Sequence, residues 1–248
     1  MTCFILIHGG AHGGWCWDRL VPELEKLGHR ALAPDLPGMG DDTTPIELVT
    51  IAGWASFVAD LARDQGEPVL LVGHSRGGPV ISEVGELDPD AVLGLVYLSA
   101  ILLPHGKIAM DLFDASTSPV MEGARLTDDQ SAVIIDPDAA SRVFYNTASE
   151  ADARWAASRL SPDPVAANLT PCTATAERWG KLPRAFIECT EDNALPLSLQ
   201  RSMQAELPCD PVITLTSDHS PFLSIPGATA EALDRIVRAF AARSVAAV

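Results

Sequence analysis

Short runs of continuously apolar residues alternate along this chain with stretches in which apolar residues recur at helical spacing. The run Cys3–Ile7 is apolar throughout and ends at two glycines, as expected for a strand buried on both faces of a parallel sheet. Similar strand-like runs follow at 30–33, 68–72, 93–98, 184–189 and 211–215. Helical spacing is found at 18–27, 50–63, 77–87, 197–207 and 228–242. This alternation predicts βαβ units and therefore an α/β fold with a mostly parallel sheet.

The alternation is interrupted between the strand-like runs at 93–98 and 184–189. The interruption contains several prolines and two short amphipathic pieces, at 139–145 and 150–160, but no strand-like run of comparable strength. We therefore predict an inserted, mostly helical cap at 104–182. The core of the fold is then formed by 1–103 and 183–248, which are separated in sequence but belong to one unit.

Composition narrows the range of partners. The 248 residues include 17 Lys and Arg against 33 Asp and Glu, which gives a formal net charge of −16. Nucleic acids and anionic membranes would be repelled by this charge, so we expect neither as a partner. With 47% hydrophobic and 20% charged residues, the chain can bury a large core.

The sequence shows no targeting or spanning segment. The first residues have no basic stretch, and the longest apolar stretch, 92–103, is well short of the roughly 20 residues that cross a bilayer. The five cysteines are scattered and lack a Cys-x-x-Cys pair, which predicts free thiols. We expect a soluble, cytoplasmic protein, and the sequence is compatible with a homodimer.

The most specific motif is Gly-x-Ser-x-Gly at 73–77, directly after one predicted strand and before a predicted helix. This context places a serine on a sharp turn at the edge of the sheet, with glycines where side chains would collide. Ser75 is therefore the predicted nucleophile. A serine hydroxyl reacts only when a base takes its proton, so a histidine must lie nearby. Of the six histidines, His219 follows the last predicted strand and reaches the same edge of the sheet.

A carboxylate should orient the histidine, and for this architecture it should lie between serine and histidine in the sequence. Candidates follow the strand at 184–189, and strand alternation alone does not separate Glu191 from Asp192. The developing negative charge of acyl transfer needs two backbone N–H donors. We predict Arg76, which follows the nucleophile, and Gly10, in the glycine-rich loop after the first strand. That loop lacks the helical geometry that a metal pair of His8 and His12 would need, so no metal site is expected.

With these motifs in order, the chain resembles the α/β-hydrolase superfamily. More narrowly, it resembles the branch that holds plant methyl esterases, hydroxynitrile lyases and pyrethroid-hydrolase-like carboxylesterases. The resemblance rests on the segments 7–17, 73–77, 189–196 and 218–219 and covers nearly the whole chain outside the cap. It implies an α/β-hydrolase fold with a reduced sheet of about six strands, and it selects Asp192 over Glu191 as the acid.

The resemblance also separates two chemistries. The lyases of this branch place a lysine directly after the catalytic histidine and a threonine in the oxyanion loop, whereas this chain has Ser220 and Gly10, or Gly9 at the neighbouring position. This chain therefore has no ammonium group at that position to stabilise a cyanide leaving group. The difference favours ester hydrolysis, which needs no cofactor. The alternatives are hydroxynitrile cleavage, lactone or C–C bond hydrolysis on the same residues, and a non-catalytic small-molecule receptor.

We expect a small, largely apolar ester as the substrate. Aromatic residues of the cap and of the glycine-rich loop are candidates for its pocket, although aromatic residues at helical spacing often serve packing alone. The predicted substrate-binding residues are Gly9, His12, Trp15, Phe144, Tyr145 and Trp155.

Overall fold

The computed structural model describes residues 1–113 and 118–246. Its strands are β1 (Cys3–Ile7), β2 (Arg30–Leu32), β3 (Val69–Ser75), β4 (Val92–Ala100), β5 (Ala124–Leu126), β6 (Ala132–Ile135), β7 (Asp163–Pro164), β8 (Arg184–Cys189) and β9 (Val212–Leu215). Its helices are α1 (Leu20–Lys26), α2 (Ile51–Arg63), α3 (Gly77–Leu87), α4 (Pro119–Glu122), α5 (Pro137–Val143), α6 (Glu150–Ala157), α7 (Val165–Leu169), α8 (Leu197–Glu206), α9 (Pro221–Ser224) and α10 (Pro226–Ala246). Short 3₁₀ helices lie at Gly14–Trp17, Ile46–Leu48, Pro89–Ala91, Ala109–Leu112 and Trp179–Lys181. Residues 114–117 of the predicted cap and 247–248 of the predicted core lie outside the described residues.

Among the described residues, six strands form one sheet in the order β2-β1-β3-β4-β8-β9, and every neighbouring pair is parallel. The predicted parallel sheet of about six strands is thus confirmed. Because all carboxyl ends of the strands meet at one edge, the loops that follow β1, β3, β8 and β9 converge there.

Side-chain alternation along the strands builds a hydrophobic core on each face of the sheet. From β1, Ile5 and Ile7 pack in the cluster that contains Trp54 of α2, whereas Phe4 and Leu6 pack in the cluster that contains Leu20 of α1. All four of these β1 side chains are fully buried. The helices on both faces therefore hold the strand ends in a fixed arrangement.

The segment between β4 and β8 contains α4 to α7 and also a three-stranded antiparallel sheet in the order β5-β6-β7. This small sheet was not predicted, because its strands are only three, four and two residues long. One of its strands, β7, places the carboxylate of Asp163 beside the loop that follows β1. Within the described part of the chain, no helix has both the length and the apolar character needed to cross a membrane.

Candidate active site

Ser75 ends β3 in a conformation that a serine rarely adopts. Its φ of 51° is in the left-handed region, and such a conformation persists only where the surrounding structure enforces it. The flanking glycines show why. A Cβ on Gly73 would lie 2.5 Å from the carbonyl oxygen of Gly77, and a Cβ on Gly77 would lie 2.6 Å from that of Ile7. The tight turn therefore depends on glycine at both positions and presents Ser75 to a cavity above the sheet.

His219 lies in the loop after β9 and lines the same cavity as Ser75. Its Nδ1 is 2.8 Å from Oδ2 of Asp192, in the loop after β8, and both residues are buried. Because the carboxylate only accepts, the Nδ1–H of His219 donates to Asp192 and Nε2 is left as the acceptor. This tautomer is the one that can take a proton from a hydroxyl.

Asp192 is held by donors on both oxygens. Its Oδ1 accepts the backbone N–H groups of Ala194 and Leu195, each at 2.7 Å. Its Oδ2 accepts the hydroxyl of Ser99 and, at 3.4 Å, the amide of Gln200. Glu191, the other candidate acid, is exposed instead. Of the two carboxylates that the strand pattern left open, Asp192 is the one in contact with His219.

Ser99 and Gln200 were not predicted from the sequence. Ser99 lies near the carboxyl end of β4 with a φ of 41°, which turns it toward the loop of Asp192. The amide of Gln200, on α8, donates to the carbonyl oxygens of Cys189 and Leu195 at 3.0 and 2.7 Å. Position at a strand end was an available signal for Ser99, whereas no local pattern marked Gln200.

The two predicted oxyanion donors, Gly10 and Arg76, both line the cavity that Ser75 and His219 line. Gly9 does not line it but permits the close approach of the two loops. A Cβ on Gly9 would lie 2.8 Å from Cβ of Ser75 and 2.9 Å from Nδ1 of His74. Only glycine fits at this point.

Three other histidines surround the site as buried, neutral groups. Burial lowers the pKa of His8 to about 3 and that of His12 to about 4, and it lowers the pKa of His74 well below its usual value. The His74 ring donates from Nε2 to the carbonyl oxygen of His219 at 2.8 Å. His12 donates from Nδ1 to the carbonyl oxygen of Gly10 at 2.7 Å and accepts the hydroxyl of Tyr145 at Nε2, also at 2.7 Å. These rings therefore position loops and carry no charge at neutral pH.

The cavity has a volume of about 340 Å³ and a mainly apolar wall. Of the predicted substrate-binding residues, His12 and Phe144 line it. Trp15, Tyr145 and Trp155 do not line it but pack behind the wall: Trp15 stacks on His12 with centroids 5.4 Å apart, and Trp155 meets Trp15 edge-on at 5.5 Å.

Most of the wall comes from cap residues that the sequence did not single out. Leu126 and Val133 belong to the unpredicted hairpin of β5 and β6, and Leu169 ends α7. Asp163 of β7 also lies in this mainly apolar wall, although its side chain is a carboxylate and the residue is only 7% exposed. These residues come from separate elements of the segment 104–182 and share one wall, which no local pattern reveals.

Comparison with known proteins gives three concordant findings. The model of the alpha/beta hydrolase family matches residues 4–232. The putative chloroplastic methylesterase 11 of Arabidopsis thaliana is 31% identical over 95% of this chain and 64% of its own length. The pyrethroid hydrolase of Sphingobium wenxiniae is 34% identical over 94% of this chain and 86% of its own length.

A solved structure extends the likeness to three dimensions. The crystal structure of a pyrethroid hydrolase from Sphingobium faniae superposes with a TM-score of 0.85 at 30% identity, over 96% of this chain and 98% of that one. The chain thus spans less than two thirds of the Arabidopsis methylesterase but nearly all of the solved pyrethroid hydrolase.

Proposed function

Because its match to the family model covers most of its length, this chain belongs to the α/β hydrolase family, and we propose that it is a carboxylesterase-type serine hydrolase. The observation that carries the proposal is the chain of contacts from Asp192 to His219, whose ring lines the cavity into which Ser75 is turned. The relatives named as a methylesterase and a pyrethroid hydrolase support ester hydrolysis as the reaction class.

In the proposed acylation step, Oγ of Ser75 attacks the ester carbonyl carbon while its proton passes to Nε2 of His219. The carbonyl π electrons move onto oxygen, and the resulting oxyanion accepts the backbone N–H groups of Gly10 and Arg76. Asp192 stabilises the imidazolium that forms. The C–O bond to the alcohol then breaks, and the alcohol leaves with the proton of His219.

Deacylation repeats these steps with water. His219 takes a proton from a water molecule that attacks the acyl carbonyl, and the second oxyanion is stabilised by the same two N–H groups. When the bond to Ser75 breaks, His219 returns its proton to Oγ. A carboxylic acid is released, and the protein groups return to their starting state, so this cycle uses only side chains, backbone and water.

The cavity wall indicates the substrate class. Its residues are mainly apolar, and Phe144 covers His219 with ring centroids 5.6 Å apart. A pocket of this kind gains binding energy by removing apolar surface from water. We therefore propose small esters whose acid or alcohol part is largely apolar.

The proposal is tested by turnover of p-nitrophenyl acetate and butyrate before and after Ser75→Ala. Loss of the nucleophile should lower kcat by about 10⁴-fold or more. The matched control is Ser202→Ala, whose hydroxyl is exposed on α8 and donates to the carbonyl oxygen of Leu199. Undiminished activity of Ser75→Ala would eliminate the mechanism. Parallel assays with mandelonitrile and simple lactones would reveal whether a different bond is cleaved faster.

A further inference from the structure

One buried carboxylate of the cap, Asp163, lies against both loops that would form the oxyanion hole. Its Oδ1 accepts the backbone N–H of Ala11 at 2.9 Å and lies 2.8 Å from Nη2 of Arg76. Its Oδ2 accepts the side-chain amide of Asn168 at 3.0 Å. Ala11 directly follows Gly10, and Arg76 directly follows Ser75, so this carboxylate joins the two loops through residues adjacent to the reacting groups.

The loop after β1 needs such support because Ala11 is strained. Its φ of 60° is in the left-handed region, which is unfavourable for a residue with a Cβ unless neighbours hold it. The cap holds the peptide units of Ala11 on both sides. The N–H of Ala11 is bound by Asp163, and its carbonyl oxygen accepts the N–H of Ser161 at 2.9 Å.

Arg76 depends on the same carboxylate for its charge. The side chain is 3% exposed, and its guanidinium lies over the ring of Trp54, 4.3 Å from the centroid. Among the described residues, Asp163 is its only ion-pair partner. A buried arginine left without its carboxylate is strongly unfavourable, so the guanidinium would move toward water and displace the backbone to which it is attached.

We propose that Asp163 is a positioning residue that sets the geometry of the oxyanion hole by fixing the loops of Gly10 and Arg76 at once. The inference rests on the proposed function, because it assigns the two N–H groups to an oxyanion. The pair of Asp163 and Arg76 also brings no net charge to the site, so the carboxylate does not oppose the developing negative charge. Catalysis in the core is thereby made dependent on the cap, which contributes no reacting group.

The test compares Asp163→Ala with Asp163→Asn. The alanine variant removes both the acceptor for Ala11 and the partner of Arg76, and we expect kcat to fall by about 10²-fold, the size of effect seen when one oxyanion donor is lost. The KM should change far less, because the apolar wall is intact. The asparagine variant can still accept the Ala11 N–H through its amide oxygen but cannot neutralise Arg76, so its kcat should lie between those of the parent and the alanine variant.

A second readout does not depend on turnover. Phenylboronic acid is expected to form a tetrahedral adduct in which Oγ of Ser75 donates an electron pair to boron, the serine proton passes to His219, and no group leaves. One boron-bound oxygen then occupies the oxyanion hole. The dissociation constant, measured by isothermal titration calorimetry, should rise by the same factor by which kcat/KM falls. A residue that only stabilised the fold would lower the melting temperature without weakening the adduct in the folded protein.

Glu188→Gln is the matched control. Glu188 is likewise buried and paired with an arginine, Arg201, at 2.8 Å, but it does not line the cavity. The Glu188→Gln variant should be less stable than the parent protein but should keep its kcat and its affinity for the boronic acid. If Asp163→Asn and Asp163→Ala behave as this control does, the inference is wrong. If the parent protein hydrolyses no ester, the proposed function is wrong, whereas the boronic acid affinities still decide whether Asp163 shapes the site.

Discussion

Residues of the predicted core and of the predicted cap line the same cavity, but the two segments contribute to it in different ways. The core places the predicted reacting groups at the end of a strand or in the loop after one, and Asp192 is fixed there by two backbone N–H groups at 2.7 Å. The cap contributes walls and a consecutive segment, 144–147, that reaches three loops of the core. Its contacts are Phe144 on His219, Tyr145 on His12, the side-chain amide of Asn146 on the carbonyl oxygen of Glu191, and the N–H of Thr147 on Asp218.

This difference implies two sizes of mutational effect. A core group with a place in the proton transfer has no substitute, so its loss should remove most of the activity. A cap contact shares the positioning of a loop with several neighbours, so its loss should lower activity by a smaller factor. Variants in the two regions therefore test whether the core and the cap differ in this way.

The largest effect expected in this series is that of Asp192→Asn. Because Oδ1 faces two backbone N–H donors, the amide oxygen should stay there and the NH₂ should replace Oδ2. The NH₂ would then donate to Nδ1 of His219, which forces the proton to Nε2 and prevents that atom from accepting the proton of Ser75. We expect kcat to fall by about 10⁴-fold, measured with p-nitrophenyl butyrate.

The control for this variant is Glu191→Gln. Glu191 is the neighbouring residue and is exposed, so its kcat should match that of the parent protein. The reverse pattern, with a large loss in Glu191→Gln and a small one in Asp192→Asn, would show that the acid has been assigned to the wrong carboxylate.

A second prediction concerns the buried, neutral histidines His8 and His12. An unfolded histidine binds a proton near pH 6.5, whereas burial lowers the pKa of His12 to about 4 and that of His8 to about 3 in the folded protein. As the pH falls below the unfolded value, the unfolded chain gains protons that the folded protein does not. Each such histidine therefore reduces the free energy of unfolding by about 1.4 kcal/mol per pH unit in this window.

Urea unfolding at about pH 7.5, 6 and 5 measures this dependence. His105→Gln provides the control, because the side chain of His105 is exposed. A free energy of unfolding that stays constant over this range would contradict the assignment of buried, neutral histidines.

The same comparison explains which features the sequence could predict. The bounds of β1 and α3 agree with the predicted segments, because an unbroken apolar run and a glycine turn are local signals. Ser75 and His219 are predicted in the same way, each beside a predicted strand. The contacts of the cap are not local. Asp163 lies 152 positions from Ala11, and Tyr145 lies 133 positions from His12, so nothing near either residue reveals its partner.

The smallest effect expected is that of Tyr145→Phe. The change removes one hydroxyl and leaves Nε2 of His12 as a buried acceptor without its donor, which costs about 1–3 kcal/mol. The ring of His12 would then hold the carbonyl group of Gly10 less firmly. The N–H of Gly10 would therefore meet the oxyanion in a less uniform geometry. We expect kcat to fall about tenfold, equivalent to about 1.4 kcal/mol of transition-state stabilisation, with a smaller change in KM.

Tyr97→Phe is the matched control, because Tyr97 is also buried and its hydroxyl also has hydrogen bonds, to Ser82 at 2.7 Å and Trp179 at 2.9 Å. Tyr97 does not line the cavity, so its variant should lose comparable stability and keep its kcat. If both variants keep full activity, the hydroxyl of Tyr145 stabilises the fold alone. A loss in Tyr145→Phe as large as that in Asp192→Asn would instead make the cap as indispensable as the core, because one cap hydroxyl would then control the reaction as strictly as the acid does.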